Sequence, residues 1–377
     1  MKIAIVQFYP YHEEVLVPQI DYLYNNHKLY IAAPESVFNN DYISHYKDKI
    51  HPIIYKNHTR KKIFFLTRIF SILYKYIILL KYHKREIFDI IIFNTITYKF
   101  HYSIIKLFLK NVKKIQIMHN SQSFIIKNNI NYLKLFFNNL IISYDAYSRF
   151  KNDINLLFLP PSPPIDWFYP LLSLNIIKDK NNFNIIFDDS YINIVIPGSV
   201  DEKRRNYSSL FSALGKYKNK HALKFKIYLL GKISSNIIEK LKNDGLCNII
   251  YYYTEFISGY DMINCIKKAD AVAFLLDSKL GENLHLYNNY KVSGTIGLCL
   301  SFGSPCIVSD EFFLESTLKN KAIVYPKDNI DYILSQIESG VLTKDYFTNL
   351  RSLPLDSKCS YEFQQEHYIK TLGIEND

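Results

Sequence analysis

The feature that most constrains the fold is an alternation of short apolar runs with longer amphipathic stretches. Such an alternation is typical of a parallel sheet that carries helices on its faces. In the first half of the chain it predicts strands at 2–7, 28–32, 87–93, 114–118, 140–143 and 156–159, with helices near 13–25, 62–84, 98–110 and 128–138. The first half therefore predicts one α/β domain.

The alternation begins again after a proline-rich segment. In LPPSPPIDWFYP, residues 159–170, four prolines fall within five positions, and such a run cannot continue a helix or a central strand. The second half predicts strands at 192–196, 224–230, 248–252, 271–275, 306–308 and 322–325. A chain of 377 residues is also long enough for two domains. We therefore expect an α/β protein with two Rossmann-like domains that face a cleft.

Charge and cysteine content narrow the classes of partner. The net charge is +11, yet the sequence has no zinc finger, RNP motif or arginine-rich arm, so nucleic acid is not expected. Anionic phosphosugars and anionic lipid headgroups account equally well for the positive charge. The five cysteines are odd in number and lack CxxC spacing, which argues against a disulfide framework or a zinc site.

The opening segment bears on localisation. MKIAIVQF reads as a buried strand without a signal-peptide cleavage site, and the sequence lacks the run of about 18 uncharged apolar residues that a membrane-spanning helix needs. We expect a cytoplasmic protein.

The stretch IPGSVDEKRRNYSSLFSAL, residues 196–214, runs from a strand through a polar loop into a helix. A loop in this position of a Rossmann-like domain is where anions bind. The candidate diphosphate ligands are Gly198, Ser199, Lys203, Arg204 and Arg205, because backbone N–H groups and arginine forks hold phosphate oxygens. The alternative is a solvated basic loop that binds nothing.

A second stretch, residues 287–310, predicts a helix from Thr295 to Phe302 that follows Lys291, Ser293 and Gly294. Ser293 suits the N-cap, and a glycine next to it permits close approach of a phosphate. The N-terminus of such a helix offers free N–H groups and the positive end of the helix dipole. Taken alone, the pattern is a common helix–glycine–strand connection.

Together these two stretches resemble the donor-binding domain of GT-B glycosyltransferases, especially the family 4-like bacterial enzymes that build surface polysaccharides. In that family a glycine loop after the first strand of the C-terminal domain precedes basic residues that contact the donor diphosphate, which Gly198, Arg204 and Arg205 match. For a later Gly-x-Pro-Val/Ile motif, the matching residues are Gly303, Pro305 and Ile307. The resemblance covers residues 192–310 well and the N-terminal half only in outline.

The resemblance implies a division of labour between the domains. We expect an acceptor-binding domain at 1–165, a linker at 166–190, a nucleotide-sugar donor-binding domain at 191–345, and a C-terminal helical segment at 346–377 that packs back on the first domain. The implied reaction moves a sugar from a nucleoside-diphosphate sugar to a growing, lipid-linked cell-surface glycan such as capsule or O-antigen. The alternatives are a nucleotide-sugar epimerase on the same architecture and a catalytically silent GT-B-like partner subunit.

One departure from the family concerns the ribose ligand. Retaining members carry Glu-x₇-Glu ahead of the Gly-x-Pro motif, but the corresponding positions in this chain are Tyr290 and Leu298. Asp277 and Glu282 are the remaining acidic candidates. The sequence does not decide between a retaining and an inverting outcome.

Candidate catalytic residues lie in the first half. His119 follows a predicted strand at 114–118, where related enzymes often place a histidine that lines the cleft. Glu13 and Glu14 follow the first strand, and a carboxylate there could deprotonate the attacking hydroxyl. All three have ordinary alternatives: a structural loop histidine, and acidic residues in the first turn of a helix.

The stretch at 60–85 is both apolar and cationic. Docking on the sheet explains its apolar face, and interfacial binding to an anionic membrane is the alternative, which would place the protein peripherally on the inner face of the plasma membrane. No Asp-x-Asp motif stands in a convincing cleft loop. We therefore expect no cofactor and no obligatory metal.

Overall fold

The computed structural model describes residues 1–9, 13–56, 65–94, 96, 99–118, 139–143, 165–172, 187–255, 257–289, 293–314 and 316–374. The chain forms two compact units. The first comprises Met1–Leu172, Tyr290–Val292 and Tyr361–Asp377, and the second comprises Ser173–Asn289 and Ser293–Ser360.

The first unit is built on a parallel sheet. Two of its central strands, Lys2–Val6 and Ile90–Phe93, are largely apolar runs that are buried on both faces, as is typical of such a sheet. Its described strands are β1 (Lys2–Val6), β2 (Lys28–Pro34), β3 (Ile50–Tyr55), β4 (Ile90–Phe93), β5 (Lys113–Met118), β6 (Asn139–Ser143) and β7 (Ile165–Phe168). They lie in the order β3-β2-β1-β4-β5-β6-β7, and Ile3 is paired with both Leu29 and Ile90. The chain therefore winds outward in both directions from β1.

Helices connect these strands and cover the sheet. Those described in the first half are α1 (Glu13–Leu23), α2 (Glu35–Phe38), α3 (Asp41–Ser44), α4 (Phe65–Glu86) and α5 (Lys99–Phe108). One core cluster joins Phe8 and Phe93 at the strand ends to Tyr76 of α4 and Ile105 of α5. None of the described helices combines the length and the apolar content that are needed to cross a bilayer.

The second unit repeats the plan. Its strands are β8 (Ile192–Ile196), β9 (Phe225–Lys232), β10 (Ile250–Tyr253), β11 (Ala271–Ala273), β12 (Cys306–Ser309) and β13 (Ala322–Tyr325). They form a parallel sheet in the order β10-β9-β8-β11-β12-β13. Numbered within the unit, this order is 3-2-1-4-5-6, which is the order of dinucleotide-binding Rossmann folds.

Eight α-helices are described in the second unit, and residues that favour capping stand at two of their ends. They are α6 (Tyr207–Gly215), α7 (Ser235–Asn243), α8 (Gly259–Lys268), α9 (Glu282–Asn289), α10 (Gly294–Phe302), α11 (Ser316–Lys319), α12 (Asp331–Ser339) and α13 (Lys344–Ser352). Asn206 caps α6 by accepting a hydrogen bond from the Ser209 amide, and Gly303 ends α10 in the left-handed conformation at φ +59°.

The last helix, α14 (Tyr361–Thr371), belongs to the first unit. The Tyr361 hydroxyl donates to the carboxylate of Asp21, the Gln364 side chain accepts from the Tyr169 amide at 2.7 Å, and Tyr368 is fully buried. The expected C-terminal segment at 346–377 is therefore divided between the units. Its first part, up to Ser360, contains most of α13 and lies in the second unit. The apolar side of α13 explains this, because Phe347 joins the core of the second unit.

The start of the expected linker at 166–190 also differs from the structure. Asp166 and Trp167 lie in β7, which pairs with β6 and forms an edge of the first sheet among the described strands. An edge strand tolerates neighbouring prolines because one of its sides needs no ladder hydrogen bonds. The expected strand at 156–159 and helix at 128–138 lie outside the described residues.

Candidate functional site

The candidate site lies at the carboxyl edge of the second sheet, between β8 and β11. The strand order reverses at this point, so the loops that follow these two strands leave in opposite directions and open a crevice. The loop after β8 spans residues 197–206, and the loop after β11 begins at Phe274. Both carry residues that the sequence singled out.

Gly198 brings an arginine onto the loop backbone. Its φ is +89°, and a Cβ atom at this position would lie 3.1 Å and 3.2 Å from the two terminal nitrogens of Arg205. A side chain would therefore be strained and would displace the guanidinium. Gly231, near the end of β9, contacts the same loop, and its position at a strand end is the one sequence signal that could have identified it.

Arg205 is a half-buried cation that pairs with no anion in the described part of the chain. Its Nε is buried and has no hydrogen-bond partner in the described part of the chain, where its side chain also forms no ion pair. Lys203 and Arg204 beside it are exposed. The Lys203 amide donates to Asp201 Oδ1 at 2.9 Å, and the Arg204 amide donates to the Asp201 carbonyl, so a turn presents the three basic residues in succession. This arrangement suits an oxyanion.

A buried amide–carboxylate pair holds the end of this loop. The side-chain Nδ2 of Asn206 donates to both carboxylate oxygens of Asp277 at 2.9 Å, and the backbone N–H of Asn206 donates to the Leu275 carbonyl. Asp277 is only 1% exposed. Burial raises the pKa of this carboxyl, while the hydrogen bonds from Asn206 and the Lys279 amide oppose the rise. The pair joins the β8 loop to the β11 loop, and Asn206 could have been found as an N-cap residue ahead of a helix.

Of the two ribose candidates, Glu282 is the more accessible. It is exposed at the start of α9, whereas both oxygens of Asp277 accept from Asn206. The neighbouring Asn283 donates from Nδ2 to the Lys203 carbonyl at 2.6 Å, so α9 is fastened to the basic loop. The assignment of a ribose ligand stays a prediction.

The N-terminus of α10 is the second candidate anion site. Ser293 occupies the N-cap position, but its side chain makes no capping hydrogen bond, and Gly294 is exposed while Thr295 is buried. Because α10 leads back to the amino end of β12, its own N-terminus lies at the carboxyl edge of the sheet, as the β8 loop does. Its first N–H groups and dipole favour an anion. Lys291 lies outside the described residues.

The candidates of the first unit are less defined. Glu13 and Glu14 are the first two residues of α1, and their side chains are not described. His119 directly follows the last residue of β5 in the sequence and lies outside the described residues. Their catalytic roles stay predictions.

Carboxylates at the carboxyl edge of the second sheet are occupied by donors from the protein. Glu311 accepts from the Ser278 amide at 2.7 Å, Asp310 from the Lys327 amide at 2.6 Å, and Asp328 pairs with Lys279 at 2.8 Å. Within the described ranges, no three histidine, cysteine or acidic residues are grouped as a metal site would require. The metal requirement stays a prediction.

Comparison with known proteins rests on structure. No protein-family model and no curated protein sequence matches the chain. The lipopolysaccharide outer core galactosyltransferase WaaB in its apo form matches with a TM-score of 0.54 and 15% identity over 99% of both chains. Sucrose-phosphate synthase from Thermosynechococcus elongatus matches with a TM-score of 0.63 and 12% identity over 99% of this chain and 96% of that chain.

A UDP-GlcNAc 2-epimerase from Neisseria meningitidis, bound to UDP-GlcNAc, also matches, with a TM-score of 0.62 and 11% identity over the full length of both chains. Matches over the whole chain at such low identity establish a shared fold. The chain therefore has the GT-B fold of two Rossmann-like domains, as its sequence predicted.

Proposed function

We propose that this protein is a glycosyltransferase that moves a sugar from a nucleoside-diphosphate sugar to a growing, lipid-linked cell-surface glycan. The observation that carries the proposal is the half-buried Arg205 guanidinium, which rests on Gly198 at the switch point of a Rossmann-like sheet without an anionic partner among the described residues. The nucleotide-sugar substrate is further supported by the fold match to a protein that was solved with UDP-GlcNAc.

The chemistry follows from where negative charge develops. As the glycosidic bond to the donor breaks, charge accumulates on the departing nucleoside diphosphate. Lys203, Arg204 and Arg205 would neutralise it from one side, and the N–H groups at the start of α10 would do so from another. Arg205, which is packed on Gly198, and the N–H groups of α10 are in place before the reaction, so they would stabilise the transition state with little reorganisation. Glu13, Glu14 or His119 would accept the proton of the attacking hydroxyl.

The lipid-linked acceptor is supported by the outward face of α4. Phe70 and Ile77 are 66% and 64% exposed, and Tyr74 between them is exposed as well. The same stripe continues at helical spacing with the exposed Lys81 and Lys84. We propose that this membrane stripe, comprising Phe70, Tyr74, Ile77, Lys81 and Lys84, lies on an anionic bilayer with its aromatic and aliphatic residues in the interface and its lysines at the headgroups.

The epimerase stays the second candidate, because epimerase structures match the entire chain as well as transferase structures do. The two reactions differ in their need for an acceptor. Incubation with UDP-, GDP-, CMP- and dTDP-sugars should release the free nucleotide only when a membrane-lipid acceptor fraction is added. Conversion of the donor to its epimer without acceptor would establish the epimerase. Binding of a nucleotide sugar with neither reaction would indicate a silent partner subunit.

A further inference from the structure

Lys75 lies on the side of α4 opposite the membrane stripe, at the carboxyl edge of the first sheet. Its Nζ donates a hydrogen bond to the Phe8 carbonyl at 2.8 Å. It also lies 5.3 Å from the ring centroid of Tyr9 and 6.0 Å from that of Tyr55. Phe8 follows β1 and Tyr55 ends β3, which places the ammonium group beyond the carboxyl ends of the strands.

This lysine is a half-buried charge with no counter-ion among the residues that the structure describes. Burial lowers the pKa of Lys75 by desolvating its ammonium group. Among the residues that the structure describes, none forms an ion pair with it. Buried charges in proteins are usually paired, because desolvation is otherwise uncompensated. The ring faces supply only part of that compensation. An ammonium group has three N–H donors, and Phe8 takes one of them.

A second polar group nearby also has no partner. Tyr55 is 0% exposed, and its hydroxyl oxygen has no hydrogen-bond partner in the described ranges. Burial raises the pKa of Tyr55 far above its usual value, so the hydroxyl keeps its proton and remains a donor. The ring of Tyr55 is stacked with that of Phe8 at 6.2 Å between centroids. The ammonium group of Lys75 and the hydroxyl of Tyr55 therefore lie in the same aromatic cluster. Both have N–H or O–H groups without an acceptor among the described residues.

We propose that Lys75 and Tyr55 form an oxyanion-binding site of the first unit, which takes a phosphate group. Lysine binds phosphate as a point charge, and its spare N–H groups and the Tyr55 hydroxyl would donate to separate phosphate oxygens. This inference rests on the proposed function in one respect: the molecule that carries the phosphate would be the acceptor of the transferred sugar. The phosphate comes either from a polyprenyl phosphate or from a water-soluble sugar phosphate.

The test uses the full chain with Lys203→Ala, Arg204→Ala and Arg205→Ala, which removes the three basic side chains of the diphosphate site of the second unit. Binding of inorganic phosphate, glucose 1-phosphate and monomeric farnesyl phosphate is measured by equilibrium dialysis. Lys75→Met should weaken binding of the phosphate probes at least about tenfold, the effect of one charge-assisted contact. Tyr55→Phe removes only the hydroxyl and should weaken binding several-fold.

Lys49→Met is the matched control. Lys49 also lies over a tyrosine ring, 4.0 Å from the Tyr24 centroid, but it is exposed and precedes the amino end of β3 instead of its carboxyl end. It should leave phosphate binding unchanged. Tighter binding of farnesyl phosphate than of glucose 1-phosphate would assign the lipid source, and the reverse order the soluble one.

The inference is overturned when Lys75→Met and Tyr55→Phe bind all three probes as tightly as the parent, or when the parent binds none. Binding of UDP and GDP to the chain with intact arginines reports separately on the proposed function. If the chain binds no nucleotide but still binds phosphate in a way that depends on Lys75, the proposed function is contradicted and the phosphate site is supported. If Lys75→Met does not fold, Tyr55→Phe decides alone.

Discussion

A Cβ atom added to Gly231 would lie 1.9 Å from the carbonyl oxygen of Gly198, closer than any real contact. The end of β9 and the loop after β8 are thus in direct backbone contact. The absence of a side chain at Gly231 allows the loop to lie this close to the strand. The basic residues of the candidate site follow on the same loop. Its geometry therefore depends on a residue of a neighbouring strand that carries no functional group.

We expect Gly231→Ala to weaken UDP or GDP binding at least about tenfold. The loop after β8 must move by about 1 Å to accommodate the methyl group, and a displacement of that size misplaces binding groups. The control is Gly215→Ala, since a Cβ there would meet no atom within 4 Å. Calorimetry measures affinity, and circular dichroism verifies the fold. Equal affinity in both variants would separate Gly231 from the site.

Removal of a guanidinium should weaken nucleotide binding directly. Arg204→Ala or Arg205→Ala should each cost ~1.5–3 kcal/mol, which is typical of a hydrogen bond to a charged group. The corresponding loss of affinity is roughly tenfold to a hundredfold. Lys242→Ala, which removes an exposed cation from α7, serves as the control. Unchanged calorimetric affinity in both arginine variants would remove the loop from the site.

Asn206→Ala should destabilise the second unit in a pH-dependent way. Loss of the helix cap costs about 1 kcal/mol at any pH. Loss of the donor to Asp277 adds about 1–3 kcal/mol, but only when that carboxyl is ionised. Because burial already raises the pKa of Asp277 above 3.8 and Asn206 opposes the rise, the variant raises that pKa further. The extra cost therefore develops as the pH rises through the folded-state pKa values of Asp277, which lie above 3.8, and is absent at pH 3.5, where this carboxyl is protonated.

Urea unfolding at pH 7 and at pH 3.5 measures this difference. The control is Ser234→Ala at the N-cap of α7, where the serine side chain makes no capping hydrogen bond. That change should cost little at either pH. A destabilisation by Asn206→Ala that is equal at both pH values would show that Asp277 does not depend on this donor.

The second unit was the more predictable from sequence, and the reason is local. Strand β8 is a buried run that is apolar except for Asn193, and α10 ends at a glycine followed by Ser304 and Pro305. The strands at 192–196 and 322–325 have the predicted bounds. Residues of the basic loop follow a strand directly, so the doubly wound topology alone brings them to the carboxyl edge.

Other features depend on contacts that are distant in the sequence. Strand β3 was missed because IHPIIY contains a proline, which an edge strand accepts. Helix α9 was missed because its residues are polar on most sides, and it is fastened by Asn283 and Asn288 to loops that follow β8 and β12. Lys75 lies within the cationic stretch at 60–85, and only the folded structure brings its ammonium group to the carbonyl of Phe8.

Membrane binding should depend on the outward face of α4. We expect the protein to co-sediment with vesicles that contain anionic lipid and to dissociate in high salt, which screens the attraction of Lys81 and Lys84. Phe70→Ser with Ile77→Ser should reduce binding by removing the residues that enter the interface. Val341→Ser, equally exposed in the second unit at 64%, is the control. Equal sedimentation with neutral and anionic vesicles, or none, would leave α4 with a purely structural role.

Glu replacements at Arg60, Lys61 and Lys62 offer an independent variant of the same test. These residues precede α4 and lie outside the described ranges. They should reduce binding to anionic vesicles through charge reversal while the apolar stripe stays intact. Binding that survives these replacements but is lost with Phe70→Ser and Ile77→Ser would assign the affinity to the interface residues.

The last prediction concerns metal. A departing diphosphate needs its charge neutralised, and many glycosyltransferases achieve this with Mn²⁺ or Mg²⁺ held by an acidic pair. In this protein Arg205 lies on Gly198, and two further cations stand beside it. Asp310 and Glu311, the acidic residues that follow β12, already accept hydrogen bonds from backbone amides. Fixed cations and a helix N-terminus provide the same stabilisation without ligand exchange.

Transfer activity should therefore persist in excess EDTA once donor and acceptor are identified. The arginine variants supply the internal control: if cations replace the metal, Arg205→Ala should lose activity in EDTA and recover part of it when Mn²⁺ is added. Complete loss of wild-type activity in EDTA, with recovery in Mn²⁺, would instead reveal a carboxylate site. Glu282 would then be the first residue to replace, because it is exposed at the start of α9, and Asp277 the second.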